Sequence, residues 1–151
     1  MFAHLVYVCA FAPVSGSSTA EYITSPEGEG EQVLGLLSAD PAVVGALCID
    51  TGDRDAPAGI PTEAITVTAD RYGTVPHTYV LCTKDNAVPP ALQRRFVREI
   101  DAVSNTPTQV AEFDSSHSPF LSQPATLADV IAGVSQTGLP TRGTFVLLCP
   151  R

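Results

Sequence analysis

A chain of 151 residues and 15.8 kDa with 44% hydrophobic content is long enough for one domain with a buried core and short for two. Eight basic against sixteen acidic residues give a formal charge of -8, a field that repels phosphate and argues against nucleic acid as a partner. No apolar run approaches the roughly 18 residues of a membrane-spanning helix, so no membrane partner is expected either.

Met1 to Ala12 lacks Lys and Arg and is followed by Pro13, which argues against an export signal; the expected location is the cytoplasm. His4 to Cys9 is a nearly continuous apolar run with Val and Tyr, the pattern of a strand buried on both faces of a parallel sheet. From about residue 14 to 73 the texture changes to Ser, Gly, Pro and acidic residues around weak helical pieces at Glu31 to Leu37 and Ala42 to Leu47, an excursion outside the core. Within it, Gly52, Pro57, Gly59 and Pro61 favour turns over Thr51 to Pro61.

Thr78 to Thr83 reads as a second strand, rich in branched and aromatic residues. Pro89 and Pro90 open a helix whose Leu92, Phe96, Ile100 and Val103 form one apolar face. Gln93, Arg94, Arg98 and Asp101 are expected on other faces, and Arg95 can pair with Glu99 one turn later. Thr108 to Phe113 is a third strand, with Val110 and Glu112 alternating against Ala111 and Phe113. A second helix starts near Pro124 and carries Leu127, Val130, Ile131 and Val134 at core-facing spacing. Strands separated by amphipathic helices imply crossover connections and a parallel sheet covered by helices, an α/β fold over residues 1–138. The tail, 139–151, stays unassigned; its apolar run Phe145 to Cys149 suits an extra strand without a place in the sheet.

Cys9, Cys48, Cys82 and Cys149 are widely spread with no C-x-x-C pair, so buried thiols in a reducing compartment are expected. His4, His77 and His117 are too scattered to suggest a zinc site, and neither metal nor organic cofactor is expected.

Reactive groups in open α/β sheets gather in the loops beyond the carboxyl ends of the strands. Two loops qualify, Thr83 to Val88 and Asp114 to Phe120. One helix and one strand separate Asp85 from His117, the interval that sets successive loops side by side on one rim. A carboxylate accepting from a histidine ring N–H fixes the tautomer and stabilises the imidazolium that a general base becomes. Spacing alone leaves the blander roles open, since a loop Asp commonly caps a turn and a lone His commonly has no chemical role. Ser15, Ser17 and Ser18 read as a polar turn, Cys9 as a buried thiol within the first strand, Lys84 as a solvated loop charge. Arg94, Arg95 and Arg98 fit the outer faces of their helix, Asp114 fits a cap of the Ser115–Ser116 turn, and Gly133 to Gly138 an ordinary helix end.

Four ordered blocks, Leu5 to Pro13, Val75 to Val80, Asp85 to Gln93 and His117 to Pro124, resemble the α/β-hydrolase superfamily, in particular its methylesterase and hydroxynitrile lyase branch. The resemblance extends over about residues 4 to 135 and is strongest after Val75. It implies that Asp85 is the acid and His117 the base of a Ser-Asp-His triad, and that the excursion is a cap over the substrate pocket, shortened around Asp50 to Ile60. The family order is Ser, acid, His, with the Ser in a G-x-S-x-G elbow, and no such pentapeptide occurs in this sequence. The elbow, the early strands and the oxyanion loop are therefore expected upstream of Met1, making this the C-terminal part of an α/β-hydrolase fold. The expected activity of the complete protein is hydrolysis of a small carboxylic ester; lyase chemistry with a similar triad is not separated from it. The alternative is a catalytically inactive truncated remnant or a non-enzymatic binding domain. Without the early strands, His4 to Cys9 is expected to be an apolar sheet edge open to self-association.

Overall fold

A computed structural model describes residues 3–14, 16–37, 46–47, 56–57, 59–136 and 146–148. In chain order the elements are β1 (Leu5–Val8), α1 (Thr19–Ile23), the short strands β2 (Ala46–Leu47) and β3 (Ala56–Pro57), β4 (His77–Cys82), α2 (Pro90–Val103), β5 (Gln109–Phe113), α3 (Pro119–Ser122), α4 (Pro124–Gln136) and β6 (Val146–Leu148). β5, β4, β1 and β6 lie side by side in that order as one parallel sheet, while β2 and β3 make a separate antiparallel pair.

The period of two along each strand sorts the core into two layers. Tyr7, Tyr79 and Leu81 point to one face, where Leu92, Phe96 and Ile100 of α2 and Tyr22 of α1 cover them. Val6, Val8, Val80, Cys82 and Phe113 point to the other, under Leu127 and Val134 of α4. Leu92, Phe96 and Ile100 meet the sheet together because residues four apart stack along one helix face. The Phe96 ring is the hub of its layer, edge-on to Phe11 at 5.9 Å and tilted against Tyr22 at 4.7 Å. β5 alternates as its sequence requires, with Phe113 buried, Ala111 half-buried and Val110 and Glu112 exposed.

The structure departs from the sequence reading at several points. The edge of β1 expected to be open pairs with β6 over Leu5 to Tyr7, so the tail supplies partners for backbone groups that an edge strand would leave to another chain. Self-association through that edge loses its premise. Cys9 lies beyond β1, not within it: its φ of 48° turns the chain out of the extended conformation.

In the excursion, Glu31 to Leu37 holds only a 3-10 turn at Leu34–Leu36, whose Leu34 and Leu36 are 49% and 60% exposed and so contribute little of the apolar burial that sustains a longer helix. Ala46–Leu47 is strand, not helix, and the rest of Ala42 to Leu47 lies outside the described residues, as do Ser15, Cys48, Asp50 and Cys149. Thr51 to Pro61 is described only in part, with β3 and the start of a 3-10 turn at Ile60–Thr62. The segment read as a polar turn instead starts α1. Ser18 caps it, its N–H donating to Glu21 Oε2 at 2.7 Å while Glu21 N–H donates to Ser18 Oγ at 3.3 Å. That S-x-x-E box is a helix-start signal present in the sequence.

The excursion closes on itself where Gly16 N–H donates to Ile65 O at 3.0 Å. It rejoins the core at Gly73, whose O accepts from Asn105 N–H at 2.8 Å; a Cβ there would lie 2.0 Å from Val103 O, so only glycine fits.

Candidate active site

β4 and β5 end level with each other, Cys82 opposite Phe113, so the loops that follow leave the sheet side by side. Backbone bonds continue past the strands and hold the two loops together: Thr83 N–H donates to Phe113 O at 2.9 Å and Lys84 N–H to Ser115 O at 3.0 Å. On this rim His117 Nδ1 lies 2.9 Å from Asp85 Oδ2.

The Asp85 side chain is 0% exposed and its oxygens are fully engaged. Oδ1 accepts from the N–H groups of Ala87 at 2.8 Å and Val88 at 2.9 Å, the reach of a short carboxyl into its own loop. Oδ2 accepts from His117 and from Gln93 Nε2 at 3.2 Å. A buried acceptor-only carboxylate facing Nδ1 dictates the tautomer with the proton on Nδ1. The His117 side chain is 34% exposed, and its lone pair on Nε2 is then the basic site left for chemistry.

The neighbouring charged residues have structural partners. Asp114, expected to cap the Ser115–Ser116 turn, instead pairs with Lys84, Nζ to Oδ1 at 2.8 Å, and that hydrogen bond holds the Asp114 carboxyl below its ordinary range. The pull is local, because both side chains are mostly in water. Ser115 Oγ is 2.6 Å from Ser122 Oγ, which ties the His117 loop to α3. Arg94 pairs with Glu112 at 3.0 Å. Arg95 makes the expected pair with Glu99 at 2.7 Å, adds Glu27 at 3.2 Å and lies over the Tyr22 ring at 4.8 Å, so it packs against α1 and does not simply face solvent.

Beneath the rim, the buried sulfurs of Cys9 and Cys82 are 2.7 Å apart, and the hydrogen bond from Cys9 lowers the Cys82 thiol pKa. His4 and His77 lie at the opposite, amino-terminal end of the strands. His4 Nε2 is 2.9 Å from Thr78 Oγ1, and His77 Nδ1 is 3.2 Å from Ser104 Oγ, its ring in contact with those of Tyr72 and Tyr7. Burial first, and His4 second, push the His77 pKa down to about 4 against a smaller opposing pull from Asp101. Among the described residues no group of three His, Cys, Asp or Glu could hold a metal ion, and no helix is long and apolar enough to cross a membrane.

One residue of the site escaped the sequence reading. Gln93, assigned there to a polar face of α2, is fully buried and binds Asp85. The signal was its position, three before Phe96 and seven before Ile100, on the flank of the apolar stripe.

The model of the alpha/beta hydrolase family matches residues 2–130. "Putative methylesterase 14, chloroplastic" of Arabidopsis thaliana is 34% identical over 84 residues, covering 55% of this chain and 23% of that protein. "Probable hydrolase R7" of a Phoma species is 34% identical over 61 residues, 40% of this chain and 25% of that protein. The crystal structure of a pyrethroid hydrolase from Sphingobium faniae superimposes with a TM-score of 0.67 at 19% identity, covering 89% of this chain and 61% of that one. The chain thus spans about a quarter of the length of the curated relatives it matches.

Proposed function

The chain belongs to the α/β hydrolase family, and on that premise we propose that it is the carboxyl-terminal part of a carboxylic ester hydrolase, with His117 as general base and Asp85 as the acid that orients it. The observation that carries this reading is the 2.9 Å contact between two side chains 32 positions apart, on neighbouring loops of the rim where an α/β sheet gathers its reactive groups. The methylesterase and hydrolase names of its relatives support the same class of reaction.

In this reading His117 Nε2 takes the proton of a serine hydroxyl as the oxygen attacks the ester carbonyl. Asp85, held by two backbone N–H groups, stabilises the imidazolium so formed. The same proton passes to the departing alkoxide. A water molecule, deprotonated by the same nitrogen, then releases the acid from the acyl-enzyme. The serine and the oxyanion donors belong to sequence on the amino-terminal side of β1, where family order puts the elbow.

The test has two parts. The coding sequence upstream of Met1 should contain an in-frame G-x-S-x-G. The protein carrying it should hydrolyse a chromogenic acetate ester, with kcat/KM falling at least about a thousandfold in His117→Ala and in Asp85→Asn. The 151-residue chain alone should give no turnover above a heat-treated control. Hydrolysis that survives both substitutions, or no elbow upstream, refutes the proposal.

A further inference from the structure

The geometry points to Gln93 as the positioning residue of this site: its carboxamide closes the unfinished rung between β1 and β4 and, from that anchored place, fixes the Asp85 carboxylate in the orientation that His117 needs. This deepens the reading of Asp85 and His117 given above and rests on it.

The argument starts from the ladder. β1 and β4 exchange regular parallel bonds, among them Leu5 N–H to Pro76 O at 3.0 Å and Cys9 N–H to Val80 O at 3.0 Å. The next rung would use the N–H and C=O of Cys82. At Cys9 the backbone turns to a φ of 48°, leaves the strand, and does not supply it. Cys82 is fully buried, and buried backbone groups without partners are costly. Gln93 reaches in from the first turns of α2 and takes the place of the missing strand residue. Cys82 N–H donates to Gln93 Oε1 at 3.0 Å, and Gln93 Nε2 donates to Cys82 O at 3.2 Å.

This docking settles which end of the amide faces which way. The oxygen must meet the Cys82 N–H, so the NH2 group is turned toward three acceptors: Cys82 O, Val88 O at 2.6 Å and Asp85 Oδ2 at 3.2 Å. Asp85 Oδ1 is held by two N–H groups of its own loop, and rotation about the Cβ–Cγ bond, which moves both oxygens together, is restrained further by any donor that holds Oδ2. That rotation carries Oδ2 away from His117. Gln93 opposes it with a donor anchored to the end of β4, independent of the imidazole. The carboxylate therefore stays aimed when the imidazole gains or loses its proton.

The experiment reads the His117 tautomer by long-range 1H–15N NMR in the 151-residue chain. Wild type should hold the proton on Nδ1. Gln93→Met keeps the volume and removes the donors, and should lower the Nδ1–H to Nε2–H ratio at least about tenfold. Phe96→Leu, on the same helix and equally buried, should lower the melting temperature without changing that ratio. A ratio in Gln93→Met within about twofold of wild type overturns the positioning role, whatever happens to the melting temperature. If Gln93→Met does not fold, Asp85→Asn is read at the Gln93 carboxamide protons: at least about tenfold faster exchange supports the link, and unchanged exchange overturns it. A wild-type His117 without the Nδ1–H tautomer refutes the pairing with Asp85 itself, so the two failures are distinguishable.

Discussion

Lowering the pH from about 7.5 to about 5 should destabilise this fold through His77, a residue at the opposite end of the sheet from the proposed chemistry. It is 1% exposed, its ring tilted against Tyr72 at 4.5 Å and stacked on Tyr7 at 6.3 Å, with His4, Asp101 and Ser104 around it; Nε2 has no hydrogen-bond partner among the described residues. A proton added at Nε2 would be a buried donor without an acceptor. Burial pushes the pKa down to about 4, from an ordinary 6.5 that the unfolded chain recovers. The contribution is complete above 6.5 and is lost as the pH falls from 6.5 toward 4, where the unfolded chain binds a proton that the folded one refuses. At 1.36 kcal/mol per unit, the loss is about 2 kcal/mol by about pH 5 and about 3 kcal/mol by about pH 4. The lowered carboxyls of Glu27 and Asp114 lose their contributions only as the pH falls through and below their ordinary values of 4.5 and 3.8, outside most of this window. Urea unfolding at about pH 7.5, 6 and 5, with linear extrapolation, measures the effect in wild type and in His77→Phe, which keeps a stacked ring and removes the titration. The wild-type curve should fall by about 2 kcal/mol more than that of the variant. Parallel curves for the two proteins would falsify the assignment of the acid sensitivity to His77.

Three further outcomes are expected. Phe96→Ala removes the ring that joins Phe11, Tyr22 and the sheet, and should cost about 3 to 5 kcal/mol in urea unfolding; a loss under about 1 kcal/mol would mean that the layer collapses around the gap. Gly73→Ala forces a Cβ to within 2.0 Å of Val103 O and should cost about 2 to 4 kcal/mol, seen as a lower urea midpoint, while a neutral result would show that the end of α2 can shift. Lys84→Ala breaks an exposed ion pair and should leave the urea midpoint unchanged, since water and salt screen such charges; a clear drop would assign the pair a structural role.

The legible part of the fold is the part that local pattern encodes. Tyr79 and Leu81 against Val80 and Cys82, and Leu92, Phe96 and Ile100 at successive turns, announce a two-faced strand and a one-faced helix whatever lies around them. The meeting of Asp85 and His117 was also readable, because a strand, helix, strand unit returns the chain to the same rim. The excursion was read poorly. Its pieces lack a strong period, and the one sharp signal, Ser18 with Glu21, is a cap and not a stripe.

By itself, then, the sequence determined the α/β class, the two helices that cover the sheet and the two loops that bring Asp85 and His117 together. Periodicity and spacing within a few tens of residues are enough for these. Only the tertiary structure decided that Val146–Leu148 lies along β1, that Cys9 leaves the strand, and that Gln93 turns inward to Cys82 and Asp85. The strand pairing and the docking of Gln93 each give backbone or side-chain polar groups a partner chosen by what the folded neighbour presents, which no local pattern in the chain records.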